Sequence, residues 1–149
     1  MDTSRFLLFY STFGKIIKDI RKIEMSYMRE YGLRSVHMGC LLYIKQNEKG
    51  MTVTQLAKEC KTDKALISRT IKELMDLGLV TTKTKGEDKV YKKKYILTEE
   101  SDKIATNINS EIVEYMRAAR EGIDEEQTKI FYDVLASFEK NISHLANKK

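Results

Sequence analysis

Apolar residues recur at Phe6, Phe9, Tyr10, Phe13, Ile16, Ile17, Ile20, Ile23, Tyr27 and Tyr31. Steps of three and four sustained over at least ~6 turns predict one long helix, ended by Gly32 as a C′ residue. Its stripe is too long for a small neighbour to cover and calls for other long helices or a second chain. Ser35 is placed to cap a second helix from Val36 to about Asn47, with Leu41 and Ile44 inward and Gly50 at its end. Thr52 and Gln55 have capping-box spacing for a short third helix, Val53 to Cys60, whose Leu56 and Ala57 face the core. Asp63 is the expected cap of a fourth helix from Lys64 to about Asp76, burying Ile67, Ile71 and Leu74 and stopping at Gly78.

The period changes after Gly78. Leu79 to Thr84 is β-branched and favours extended chain. Lys85 to Lys89, with Gly86 and Asp88, supplies turn chemistry, and the next stretch puts Tyr91, Tyr95 and Leu97 on one face. That is a β-hairpin. Thr98 then caps a fifth helix whose first turn carries Glu99, Glu100 and Asp102, as the helix dipole favours. Its stripe is Ile104, Ile108, Ile112, Tyr115 and Ala119, closed by Gly122. Asp124 and Gln127 open a sixth helix expected to turn Phe131, Leu135, Phe138, Ile142 and Leu145 inward.

Composition agrees with a mainly α (α+β) chain: 149 residues hold no proline and only seven glycines, so little interrupts a helix. With 42% hydrophobic residues that length suits a single domain with a real core. No apolar run approaches the ~20 residues that span a bilayer, and Met1 to Tyr10 has neither a basic start nor a small-residue cleavage site. A cytoplasmic protein is expected, and two unpatterned cysteines, Cys40 and Cys60, fit a reducing compartment. The net charge of +5 is unevenly placed. Met51 to Thr98 carries eleven Lys/Arg against six Asp/Glu, while the rest of the chain balances at sixteen of each. A cationic segment amid neutral surroundings favours a polyanion, because neutralised phosphates release counterions.

Helix, turn, helix and basic hairpin in that order describe a winged helix-turn-helix, here over residues 35–98. Its second helix must offer a small, polar, basic face to a major groove ~12 Å wide. Lys64, Ala65, Ser68, Arg69 and Lys72 lie opposite Ile67, Ile71 and Leu74 and are the candidate DNA-binding face. Arg69 suits a bidentate guanine contact, Ala65 a thymine methyl, and Ser68 a base or phosphate. Alone, such a face is equally well an ordinary solvated one, and lysines on an edge strand also guard against aggregation. The hairpin's Lys83, Lys85, Lys89, Lys92, Lys93 and Lys94, directly after a basic helix, favour double-stranded DNA as the partner. The rival is a winged helix that binds protein and keeps its lysines for solubility.

The chain resembles the MarR family of bacterial regulators. The resemblance rests on Thr52-Val53-Thr54-Gln55-Leu56-Ala57, on Leu66-Ile67-Ser68-Arg69, on Glu73-Leu74-Met75-Asp76-Leu77-Gly78-Leu79-Val80, and on Leu97-Thr98-Glu99-Glu100. It implies one MarR-type domain over 1–149: a triangular homodimer joined through residues 1–32 and 99–149, with a recognition helix in each of two major grooves of a pseudo-palindromic operator. It also implies a transcriptional regulator, more often a repressor. The family's wing usually carries Asp-x-Arg, whereas the nearest match here is Asp88-Lys89-Val90, one residue out of register, in a wing without arginine. A more hydrated lysine lacks the planar fork, so phosphate contacts by Lys92, Lys93 or Lys94 are expected in place of minor-groove insertion.

Many family members release DNA on binding a small aromatic or anionic effector, and Tyr10, Phe13, His37, Met38 and Tyr43 are the residues that could line such a cleft here. The ordinary reading of each is core, and for His37, in a first helical turn, a solvated imidazole. A thiol-sensing branch uses a cysteine near the start of the first helix. This chain has none there, so Cys40 and Cys60 are expected to be inert and packed as small apolar residues. Two histidines, no phosphate-binding glycine loop and no metal-ligand spacing predict no enzyme, cofactor or metal site.

Overall fold

The computed structural model describes residues 2–83 and 93–148. Along the chain run α1 (Thr3–Glu30), α2 (Ser35–Gln46), α3 (Val53–Glu59), α4 (Lys64–Asp76), β1 (Val80–Thr82), β2 (Tyr95–Leu97), α5 (Glu99–Ala119) and α6 (Glu125–Ala146). They fall into two compact units, Met1–Asn109 and Ser110–Lys149.

Local chemistry sets most of the boundaries. Thr52 Oγ1 accepts from the Gln55 amide (3.1 Å) while Gln55 Oε1 accepts from the Thr52 amide (2.9 Å), the reciprocal box that starts α3. Asp63 caps α4 through the Leu66 amide (2.8 Å), and Asp124 and Gln127 repeat the box on α6. The start of α2 departs from expectation. Its cap is Arg34, and Ser35 is already helical. The Arg34 amide is satisfied by His37 Nδ1 (3.1 Å), so an imidazole does the work that glutamate or glutamine usually does at this position.

Schellman turns end α1 and α4. At the end of α1 the Leu33 amide reaches Met28 O (3.0 Å) and that of Gly32 reaches Arg29 O (3.2 Å). At the end of α4 the Leu79 amide reaches Leu74 O and that of Gly78 reaches Met75 O, both at 2.9 Å. In each case the paired apolar residues, Met28 with Leu33 and Leu74 with Leu79, are buried. Leu79 therefore belongs to the turn, and the strands are shorter than the β-branched run suggests.

In the first unit the core gathers Leu41, Ile44, Leu56, Ile67, Ile71, Leu74, Val80, Tyr95, Ala105 and Ile108, so α2, α3, α4 and the start of α5 share one interior. Strands β1 and β2 pair antiparallel with Val80 opposite Leu97 and Thr82 opposite Tyr95. Met51, just before α3, makes an isolated antiparallel bridge to Tyr95, with amide-to-carbonyl bonds of 3.0 and 2.8 Å. This third partner of the hairpin base was not anticipated. Thr98 Oγ1 donates to Gly78 O (3.0 Å) and the Thr98 amide to Leu79 O (3.2 Å), tying the start of α5 to the end of α4.

The second unit holds the last part of α5 and all of α6. Phe131, Phe138, Ile142 and Leu145, expected to point inward, are exposed and Leu135 is half-buried. The period of that stripe is helical as expected, but this chain alone does not bury it. Many apolar residues of α1 are likewise open, from Ile20 at 39% to Tyr10 at 70% exposure. Among the described residues no helix is long and apolar enough to cross a membrane.

Candidate nucleic-acid interface

The turn between α3 and α4 is a third Schellman motif. The Thr62 amide bonds Ala57 O (3.0 Å), the Lys61 amide bonds Lys58 O (3.2 Å), and Lys61 takes the left-handed position at φ +52°. Glycine is the usual occupant because a Cβ is penalised there. Lys61→Gly is expected to raise stability by about 0.5 kcal/mol, the relief of that strain being partly offset by a more mobile unfolded chain. Urea unfolding of the two proteins measures it, and a destabilised glycine variant would contradict the assignment.

This turn sets the aspect of α4. Ile67, Thr70, Ile71 and Leu74 are buried, and the hydroxyl of Thr70 is spent on Leu66 O (2.8 Å). The opposite face carries Lys64, Ala65, Ser68, Arg69 and Lys72, all exposed. Three cations, a hydroxyl and a methyl thus share one face, with no large side chain to hold a groove floor away. Among the described residues no ion pair or hydrogen bond engages Arg69.

Beyond the hairpin base the Lys83 amide bonds Lys94 O (3.0 Å), carrying the pairing one step past the strands. Lys83 and Lys94 are exposed and Lys93 is half-buried. Lys85, Lys89 and Lys92, with Tyr91 and the Asp88-Lys89-Val90 stretch, lie outside the described residues.

His37 corrects the sequence reading. Its side chain is only 5% exposed, and both ring nitrogens are committed. Nδ1 accepts from the Arg34 amide, which leaves the proton on Nε2, and Nε2 donates to Glu73 Oε2 at 2.7 Å. The Arg34 guanidinium donates to the same oxygen. The His37 hydrogen bond first, and then that of Arg34, hold the Glu73 carboxyl below its ordinary value. The carboxylate is therefore in place at neutral pH, and the cluster is lost as pH falls through the acid carboxylate range.

The other residues named for an effector cleft are scattered in kind. Met38 is buried, Phe13 and Tyr43 are half-buried, and Tyr10 is exposed with its ring stacked near Phe6 (centroids 6.2 Å apart). The cysteines are nearer one another than their twenty-residue separation suggests. Their thiols hydrogen-bond, and a methyl on Gly39 would lie 3.6 Å from Cys60 Sγ. The bond from Cys40 holds the Cys60 thiol below its ordinary value, while donating that bond and burial push Cys40 up. Cys60 is half-buried and Cys40 fully buried, so an alkylating reagent on the folded protein should modify Cys60 first by peptide mass, and equal labelling would exclude this arrangement.

Comparison with known proteins bears on this geometry. The MarR family model matches residues 31–89, from the end of α1 through the helix-turn-helix and the first strand. A chain from Listeria monocytogenes assigned to that family and complexed with 26mer DNA is 24% identical at a TM-score of 0.79, over 91% of this chain and 89% of its own. Staphylococcus aureus MarR in complex with salicylate and kanamycin is 16% identical at a TM-score of 0.79, over 95% and 94%. A MarR protein from Peptoclostridium difficile is 20% identical at a TM-score of 0.77, over 91% and 88%. These likenesses establish a shared winged-helix fold.

Proposed function

We propose that this chain, whose residues 31–89 match the MarR family model, is a regulator of that kind: a cytoplasmic transcriptional regulator that binds double-stranded DNA in a sequence-specific way. The observation that carries the proposal is the exposed face of α4. Lys64, Ala65, Ser68, Arg69 and Lys72 all reach solvent on the side opposite the buried Ile67, Ile71 and Leu74. A recognition helix needs that combination of a fixed apolar back and a small, cationic front. Lys93 and Lys94 at the wing base would meet phosphates, and Lys89 and Lys92, outside the described residues, are proposed for the same role. The Listeria relative's complex with DNA supports the same partner.

A homodimer on a two-fold operator completes the proposal, and repression is the mode of action it favours. The exposed stripe of α1 in the first unit and that of α6 in the second are each more apolar than an isolated surface tolerates. A second copy of the chain is the occupant that symmetry supplies without another gene product. The proposal extends to a small aromatic or anionic effector, as salicylate is bound in the Staphylococcus relative. Phe13 and Tyr43 retain accessible ring surface for such a ligand, whereas His37 has no ring nitrogen left to offer.

Salt titration tests the partner. Binding to duplex DNA should weaken with a log–log slope of ~0.9 per neutralised phosphate. A shallow slope, with no discrimination between a selected and a random duplex, would point instead to a winged helix that binds protein.

A further inference from the structure

Glu73 lies one helical turn beyond Arg69 on α4, the spacing at which opposite charges pair along a helix. No such pair forms. The Glu73 carboxylate turns away to two donors from the start of α2: the exposed Arg34 guanidinium and the buried His37 Nε2–H. The orientation of His37 is not free to vary, because its Nδ1 is held by the Arg34 amide. Both donors converge on a single oxygen, Glu73 Oε2.

We propose that Arg34 and His37 act as positioning residues that sequester Glu73, keeping its charge off Arg69 and away from the DNA phosphates so that Arg69 is free to read a base. This rests on the DNA-binding reading above and assigns it a control element within the protein. Two consequences follow from the geometry. A carboxylate released from α2 would find Arg69 within a turn and neutralise it. The same carboxylate would add a negative charge at the edge of the face that meets the DNA backbone, where like charge opposes association. The cluster also joins the first turn of α2 to the last turns of α4, so it fixes how far α4 can rotate about its axis.

The test is a rescue experiment. The full-length protein first selects a duplex from random DNA, and its affinity for that duplex is measured by fluorescence anisotropy at low salt. Arg34→Ala combined with His37→Leu is expected to weaken binding about fivefold to tenfold, the scale of a masked rim charge together with a compromised base contact. Adding Glu73→Gln to that background is expected to restore affinity to within about twofold, since the freed side chain then carries no charge. A purely structural role for the cluster predicts the reverse, because glutamine cannot rebuild contacts to donors that are gone. Failure of the rescue, or wild-type affinity in the Arg34→Ala/His37→Leu protein, overturns the proposal. Should His37→Leu lower the melting temperature, Arg34→Ala alone removes one of the two donors at an exposed site, and the same loss and rescue are then read at smaller amplitude. If the wild-type protein shows no salt-dependent duplex binding at all, the functional reading itself has failed and this inference falls with it. That outcome is seen before any variant is made.

Discussion

Gly50→Ala is expected to cost about 2–4 kcal/mol of folding stability, the sum of a left-handed backbone penalty and an overpacked contact. Gly50 sits at φ +86°, and a Cβ there would lie 3.0 Å from both the Tyr95 carbonyl oxygen and Ile96 Cγ2 and 3.1 Å from Lys94 Cβ. The first of these is backbone and cannot step aside without breaking the Met51–Tyr95 bridge. The chain passes here from the end of α2 into the base of the hairpin, and only a residue without a side chain lets the two approach so closely. Gly78 is the internal control. It too has positive φ (+71°), but open space surrounds its missing Cβ, so Gly78→Ala should cost only ~1–2 kcal/mol from backbone strain alone. Thermal unfolding should place the Gly50 variant about 5–15 °C below wild type, with the Gly78 variant between. Equal losses at the two sites would show that backbone conformation, and not the approach to β2, governs Gly50.

The contrast between these glycines also shows which features could be read from residues alone. Gly78 was legible as a helix stop, because a glycine after an apolar-periodic run is local information, whereas Gly50, expected to end α2, lies three residues beyond the Asn47 cap. The caps at Thr52, Asp63 and Asp124 were legible for the same reason, each being a side chain reaching a backbone amide within a few residues. The face of α4 was legible because burial there has a 3.6-residue period that Ile67, Ile71 and Leu74 announce. What failed was non-local. The imidazole of His37 can be buried because Glu73, thirty-six residues away, accepts the hydrogen bond from its Nε2–H, and no spacing rule reports such a partner. Gly50 and Met51 contact Tyr95 across a distance in sequence that hides the contact. The proximity of Cys40 and Cys60 arises from the packing of α2 on α3, and the two thiols look unrelated along the chain. The stripe of α6 was read correctly in period and wrongly in burial, because periodicity states which face is apolar and not which molecule covers it.

Arg69→Ala is expected to weaken binding to the selected duplex about tenfold to a hundredfold, the ~1–3 kcal/mol that a bidentate guanidinium–guanine contact contributes to discrimination. Arg69 is exposed, faces away from the buried side of α4, and has no partner among the described residues, so its loss should leave folding stability nearly unchanged. A fall in affinity with an unaltered melting temperature is thus a statement about DNA and not about the fold. The effect should be uneven across sequences: preference relaxes at one base pair of each half-site, while affinity for random duplex falls only by the lost charge. Lys94→Ala supplies the comparison. Lys94 is exposed at the wing base, where loss of a phosphate contact would lower affinity for all duplexes alike and reduce the salt slope by about one. The two variants therefore separate base reading from backbone attraction in a single set of titrations. If Arg69→Ala bound selected and random duplexes as wild type does, α4 would not be the recognition helix, and the cationic face built by Lys64, Ala65, Ser68, Arg69 and Lys72 would serve another partner.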